Sequence, residues 1–106
     1  MTDPVTVGEI IAQYEKHGWK LRRALLSDDG RERLSEVLPD VEKFDSDLDA
    51  LWFSRRSRPD SEAWELRRLT NLPFALIAVI RNDASEEEIE DTLEQVLEEM
   101  REKTFA

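Results

Sequence analysis

The sequence predicts an α+β domain, a mostly antiparallel sheet of about four strands with two long helices on one face, in the order α-β-(short α)-β-β-β-α. Three observations lead there. Apolar residues recur at helical spacing near both ends of the chain, at Val7, Ile10, Ile11 and Tyr14 and again at Ile89, Leu93, Val96, Leu97 and Met100. Between them, residues 48–80 hold three runs rich in aromatic and branched residues, separated by the turn signals Pro59-Asp60 and Asn71-Leu72-Pro73. Finally, the motif W-x-x-R-R occurs three times, at Trp19 to Arg23, Trp52 to Arg56 and Trp64 to Arg68, each time within an expected strand.

Composition sets the frame. At 106 residues the chain is expected to form one domain spanning 1–106, able to bury a core of its own. It contains no cysteine, which removes disulfides and thiolate metal sites and fits a reducing compartment. The start lacks the basic and apolar regions of a signal peptide, and the run Phe74 to Ile80 is far short of a membrane span. A cytoplasmic protein with no membrane contact is the expectation.

Charge is divided unevenly. Residues 18–27 and 50–81 together carry nine basic and three acidic side chains, whereas the remainder carries six basic and twenty-two acidic. The expected strands are thus cationic inside an acidic envelope, in a chain of net charge −10. That total disfavours a nucleic-acid partner recruited by bulk electrostatics.

Taken in order, residues 6–17 read as a helix with a Thr6/Glu9 capping box and Gly18 as a left-handed cap. His17, the sole histidine, falls in the last turn, where partial positive charge is favourable. Trp19 to Leu26 reads as a strand, with strict alternation placing Trp19, Leu21, Arg23 and Leu25 on one face. Asp29-Gly30 marks a turn, residues 31–38 a short helix ended by Pro39, and Asp40 to Asp47 an acidic connection. The three strands then run over Leu48–Arg56, Ala63–Leu69 and Phe74–Ile80. The last is apolar on both faces and therefore expected at the sheet centre, covered on both sides. Ser85 and Glu88 open the closing helix with a capping box.

No catalytic, cofactor-binding or metal-ligating residue is assigned. Asp45, Asp47 and Asp49 resemble the opening of a calcium loop, but Ala50 and Arg56 stand where its glycine and glutamate belong. Asp60 with Glu65-x-Arg67 is similar to a nuclease core motif, with arginine replacing the lysine; arginine stays protonated and cannot serve as the base.

The candidate interaction surface is therefore drawn from the repeated units: Trp19, Arg23, Trp52, Phe53, Arg55, Arg56, Trp64, Arg67 and Arg68. On one reading each tryptophan is core and each arginine pair meets carboxylates; on the other, aligned units form a face that stacks bases or grips phosphates. Charge balance favours the first. The expected function is a non-enzymatic protein–protein interaction module, acting on a protein partner or as a homodimer. The alternatives are a nucleic-acid or anion-binding sheet and, below it, a metal-dependent hydrolase using Asp60 and Glu65. In size, acidity and element mixture the chain is similar to the small acidic α/β chaperones of bacterial secretion systems. That resemblance implies a chaperone- or adaptor-like role and assigns no residue.

Overall fold

A computed structural model describes residues 3–69 and 74–105. Its elements are α1 (Pro4–Lys16), β1 (Lys20–Leu26), α2 (Asp28–Leu34), β2 (Glu42–Asp45), β3 (Ala50–Arg58), β4 (Ser61–Arg68), β5 (Ala75–Arg81) and α3 (Glu86–Phe105). They form the expected α+β fold around one five-stranded mixed sheet in the order β2-β1-β3-β4-β5. All pairings are antiparallel except β1 with β2. The Asn71-Leu72-Pro73 turn lies outside the described residues.

Local chemistry explains the boundaries. Helix α1 begins earlier than the Thr6 capping box suggests, because Asp3 accepts a hydrogen bond from Val5 N at 3.1 Å and Pro4 fits the first turn, where its missing N–H costs nothing. Gly18 closes the helix at φ +86°, with Trp19 N donating back to the Tyr14 carbonyl at 3.0 Å. At α3 the Ser85/Glu88 box forms as expected, Glu88 N donating to Ser85 Oγ at 3.2 Å.

Two short elements differ from the sequence reading. Ser27, not a later residue, caps α2, so Gly30 sits inside that helix rather than in a turn. The acidic connection contains β2, which the return through α2 and residues 35–41 lays parallel to β1. Its four residues are mostly exposed, with Phe44 38% accessible, so it carries almost no burial pattern to read.

The larger corrections concern layers and strand order. The two long helices lie on opposite faces of the sheet. On the first face α1 and α2 pack on Leu21, Ala24, Leu26, Leu51 and Phe53, with Val7, Ile11 and Leu34 buried between. On the second, α3 packs Leu93, Val96 and Met100 onto Leu25, Trp52, Trp64, Leu66 and Ile80. A fully alternating strand such as β4 has an inner side chain for each face, so a helix is needed on both. Strand β5, expected at the centre, is an edge strand instead. Its second-face residues Leu76, Ala78 and Ile80 meet the α3 layer, whereas Ile77 and Val79 on the first face are 60% and 59% exposed.

Candidate interaction face

The three W-x-x-R-R units do not make one surface. Strand β1 carries a bulge between Leu21 and Arg23, and that extra residue breaks the strict alternation. Leu21 stays on the first face opposite Phe53, while Arg23 moves to the second opposite Trp52. Arg22 reaches Ser54 Oγ at 3.0 Å, lies 4.7 Å over the Trp64 ring and stands 3.7 Å from Glu62. Arg23 donates two hydrogen bonds to the Glu90 carboxylate on α3 and lies 5.4 Å from the Phe44 ring. This pairing holds the Glu90 carboxyl below its usual range, chiefly through the hydrogen bond from Arg23. The first unit therefore ties β1 to α3.

The tryptophans are structural. Trp52 and Trp64 are 2% and 7% exposed and meet edge to face at 6.2 Å beneath α3. Trp19, half-buried on the first face, lies edge-on to Tyr14 and carries Arg55 at 4.6 Å over its ring. Phe53 is fully buried and stacks on Tyr14 with ring centroids 4.0 Å apart. Phe53, Trp52 and Trp64 thus leave the candidate surface for the core. The nucleic-acid alternative needs Arg23, Arg56 and Arg68 gathered on an open face. All three point to the face that α3 occupies; Arg23 is bound by Glu90 and Arg68 is only 7% exposed.

The expectation that every arginine pair meets carboxylates holds for the first unit alone. Among the described residues Arg55, Arg56, Arg67 and Arg68 make no ion pair. Arg55 Nη1 donates to the His17 carbonyl at 3.1 Å, and Arg67 Nε to the Arg68 carbonyl at 3.2 Å. Arg56 is exposed near the β3–β4 turn. Arg68 lies 5.8 Å from the Phe74 ring, and its Nε has no hydrogen-bond partner.

Register shows where Arg55 and Arg67 point. On the first face one rung of the sheet runs Arg55, Ala63, Val79; the next Phe53, Glu65, Ile77; the third Leu51, Arg67, Ala75. Helix α1 covers the β1 and β3 ends of these rungs, but the β5 ends are open. The result is a strip over β4 and β5 with the exposed Ile77 and Val79 at its centre, the nearly buried Ala63 at its floor and Arg55 and Arg67 at opposite corners. Ile77 and Val79 carry no motif and so fall outside the motif-based candidate surface. The signal that finds them is the apolar alternation of β5 together with its edge position.

Glu65 closes the inner wall of this strip. It accepts a hydrogen bond from the Tyr14 hydroxyl, so α1 is latched to β4. Burial first and then this bond push the Tyr14 pKa up to about 12, with Arg67 pulling weakly the other way. Because Tyr14 is the sole tyrosine, its titration is directly readable. Absorbance near 295 nm is expected to show Tyr14 still mostly protonated in the folded protein at pH 11, with about a tenth as tyrosinate; a midpoint near 10 would mean that the latch is absent. The raised value also means that the neutral hydroxyl stabilises the fold below about pH 10 and that this contribution is lost as pH rises towards 12.

The carboxylate clusters dissolve into separate partnerships. Asp45 accepts from Arg31 at 2.8 Å, Asp47 from Arg101 at 2.8 Å, and Asp49 from Ser27 N at 2.9 Å and Ser27 Oγ at 3.0 Å. No group of acidic or histidine side chains among the described residues is arranged to hold a metal ion. Asp60 and Glu65 stand five residues apart along the same chain segment, roughly 17 Å at strand rise. Asp60 accepts from Ser61 Oγ at 3.1 Å, and Glu65 is engaged by Tyr14. Two-carboxylate metal chemistry requires them within a few ångströms of one ion.

What fold and site define, then, is an α+β domain with a covered second face and a half-covered first face. The sequence matches no protein-family model and no curated protein, and the structure matches no solved structure. No helix among the described residues is long and apolar enough to cross a membrane.

Proposed function

We propose that this chain is a non-enzymatic protein-interaction module of the cytoplasm, and that a protein partner docks on the strip over β4 and β5. One observation carries the reading: Ile77 and Val79, adjacent on one face of an edge strand, are each about 60% exposed while the apolar side chains of β3 and β4 are buried. Fully burying such a side chain is worth about 1.5–3 kcal/mol, so covering what remains open on both would contribute roughly 2–3 kcal/mol to association. Arg55 and Arg67 at the corners, neither of them in an ion pair among the described residues, supply orientation and rate more than affinity. The free edge of β5 and the apolar strip are also compatible with a homodimer, which mass in solution distinguishes. The absence of cysteine supports a reducing compartment.

The test compares wild type with Val79→Asp and Ile77→Asp, using Val5→Asp as control. Val5 is 66% exposed on α1, away from the strip. Light scattering and affinity capture are expected to show an assembly, with itself or a partner, that both strip substitutions weaken at least tenfold and that Val5→Asp leaves intact. The reading falls if all four proteins behave alike.

A further inference from the structure

Resting on that reading, we infer that the occupant of the strip is an acidic amphipathic helix of a partner protein, lying beside α1 with its apolar stripe on Ile77 and Val79. Strands are about 4.8 Å apart and a helix with its side chains is about 10 Å across, so one helix covers about two strands. On the second face α3 packs along β5 and closes a cluster that extends through Trp64 and Trp52 to Leu25. On the first, α1 and α2 serve β1 and β3, leaving one helix-width of sheet over β4 and β5 without a helix.

A helix fits the open groups better than an added strand. Strand addition would satisfy the free backbone edge of β5, but it would lie beside that edge and leave Ile77 and Val79 facing solvent. A helix across the face covers both side chains. With β5 seven residues long, about 24 Å, a partner helix of about four to five turns spans the strip.

Charge selects the kind of helix. The whole chain carries −10, yet the first face of β3, β4 and β5 holds Arg55, Arg58, Arg67 and Arg81 against Glu65 alone. Glu65 is already engaged by Tyr14, and Arg81 by Asp83 at 3.2 Å. Arg55 and Arg67 remain without an ion pair, about two rungs apart on either side of the apolar centre. A helix with glutamate or aspartate flanking its apolar stripe would pair both; a basic helix would meet like charge at both corners. A second copy of this chain would bring its own Arg55 and Arg67 to the same interface, which disfavours face-to-face self-association.

The experiment exploits the lack of cysteine. Ala75→Cys, exposed at one end of the strip, carries an environment-sensitive fluorophore on the otherwise intact chain. Two designed helical peptides are titrated at low salt, each with leucine at i, i+3, i+4 and i+7, one with glutamate flanks and one with lysine flanks. The glutamate peptide is expected to bind at the reporter at least tenfold more tightly, against the global charge of the protein. Raising the salt should narrow the gap, Arg67→Ala should reduce it, Arg67→Glu should reverse it, and Val79→Asp should weaken both peptides. The inference is overturned if the lysine peptide binds the reporter as well or better, or if the glutamate peptide does not bind.

Light scattering on the same samples separates the two levels. A dimer dissolved by Val79→Asp, with no peptide binding, overturns the acidic-helix inference and leaves the interaction strip standing. A strict monomer that binds neither peptide, and whose capture profile is unchanged by Val79→Asp, overturns both.

Discussion

Replacing Phe53 by alanine is expected to lower stability by about 3–5 kcal/mol, a large share of what a domain of this size possesses. Phe53 has no exposed surface, stacks on Tyr14 at 4.0 Å and sits among Leu21, Leu51, Val7 and Ile11 beneath α1. Truncation removes the aromatic stack and leaves a cavity that the sheet on one side and α1 on the other cannot fill by small shifts. The Glu65 latch from Tyr14 also loses its support, because the ring that holds Tyr14 flat is gone. Urea unfolding should show the midpoint falling steeply with little change in slope. Val79→Ala, on the next strand but one and the same face, is the contrast: at 59% exposure it should change stability by less than about 1 kcal/mol. Equal losses at the two positions would contradict the half-covered face.

Gly30→Ala is expected to destabilise the protein by about 2 kcal/mol, although alanine is ordinarily about 1 kcal/mol better than glycine inside a helix. The reason is a close approach. A Cβ at Gly30 would overlap Asp49 Oδ1 and stand 2.7 Å from Asp49 Cγ. Asp49 cannot swing away freely, because its carboxylate accepts from Ser27 N and Ser27 Oγ, and Ser27 in turn caps α2 by accepting from Gly30 N at 3.1 Å. Moving the carboxylate breaks bonds to a charged acceptor, each worth about 1.5–3 kcal/mol, and loosens the helix start. A double-mutant cycle checks this account. In an Asp49→Ala background the same Gly30→Ala change should become neutral or stabilising; an unchanged penalty would show that the clash lies elsewhere.

These cases show which parts of the molecule are legible in its sequence. Helix α3 is readable throughout, because an i, i+3/i+4 stripe and a Ser85/Glu88 box are local features that tertiary structure had no reason to override. The α+β class and the β3–β4–β5 meander follow from alternation and the Pro59-Asp60 turn in the same way. What fails is non-local. The β1 bulge turns Arg22 and Arg23 together to the α3 side, and nothing in Trp19 to Leu26 announces an extra residue in the pairing. Strand β2 hides in an acidic connection because an exposed four-residue edge strand needs no burial pattern.

The candidate surface was misplaced for the same reason. Three repeated motifs on three strands suggest one aligned face, but alignment depends on register, and register sends Trp52 and Trp64 under α3 while Trp19 stays by α1. Only Arg55 and Arg67 of the original set border the open strip. Ile77 and Val79 belong to a run whose two apolar faces predict a buried central strand. Finding that run at an edge is what turns an ordinary core sequence into an exposed apolar strip.

The most direct test of that conclusion is the rate of thiol modification at Val79→Cys in the cysteine-free chain, compared with Val5→Cys. In the isolated protein at low concentration both sites should react quickly, at similar rates. With the protein at its assembly concentration, or in an extract of the cells that make it, Val79→Cys should be protected at least fivefold while Val5→Cys is not. Slow reaction at Val79→Cys in the isolated monomer, or identical rates in every condition, would contradict the account.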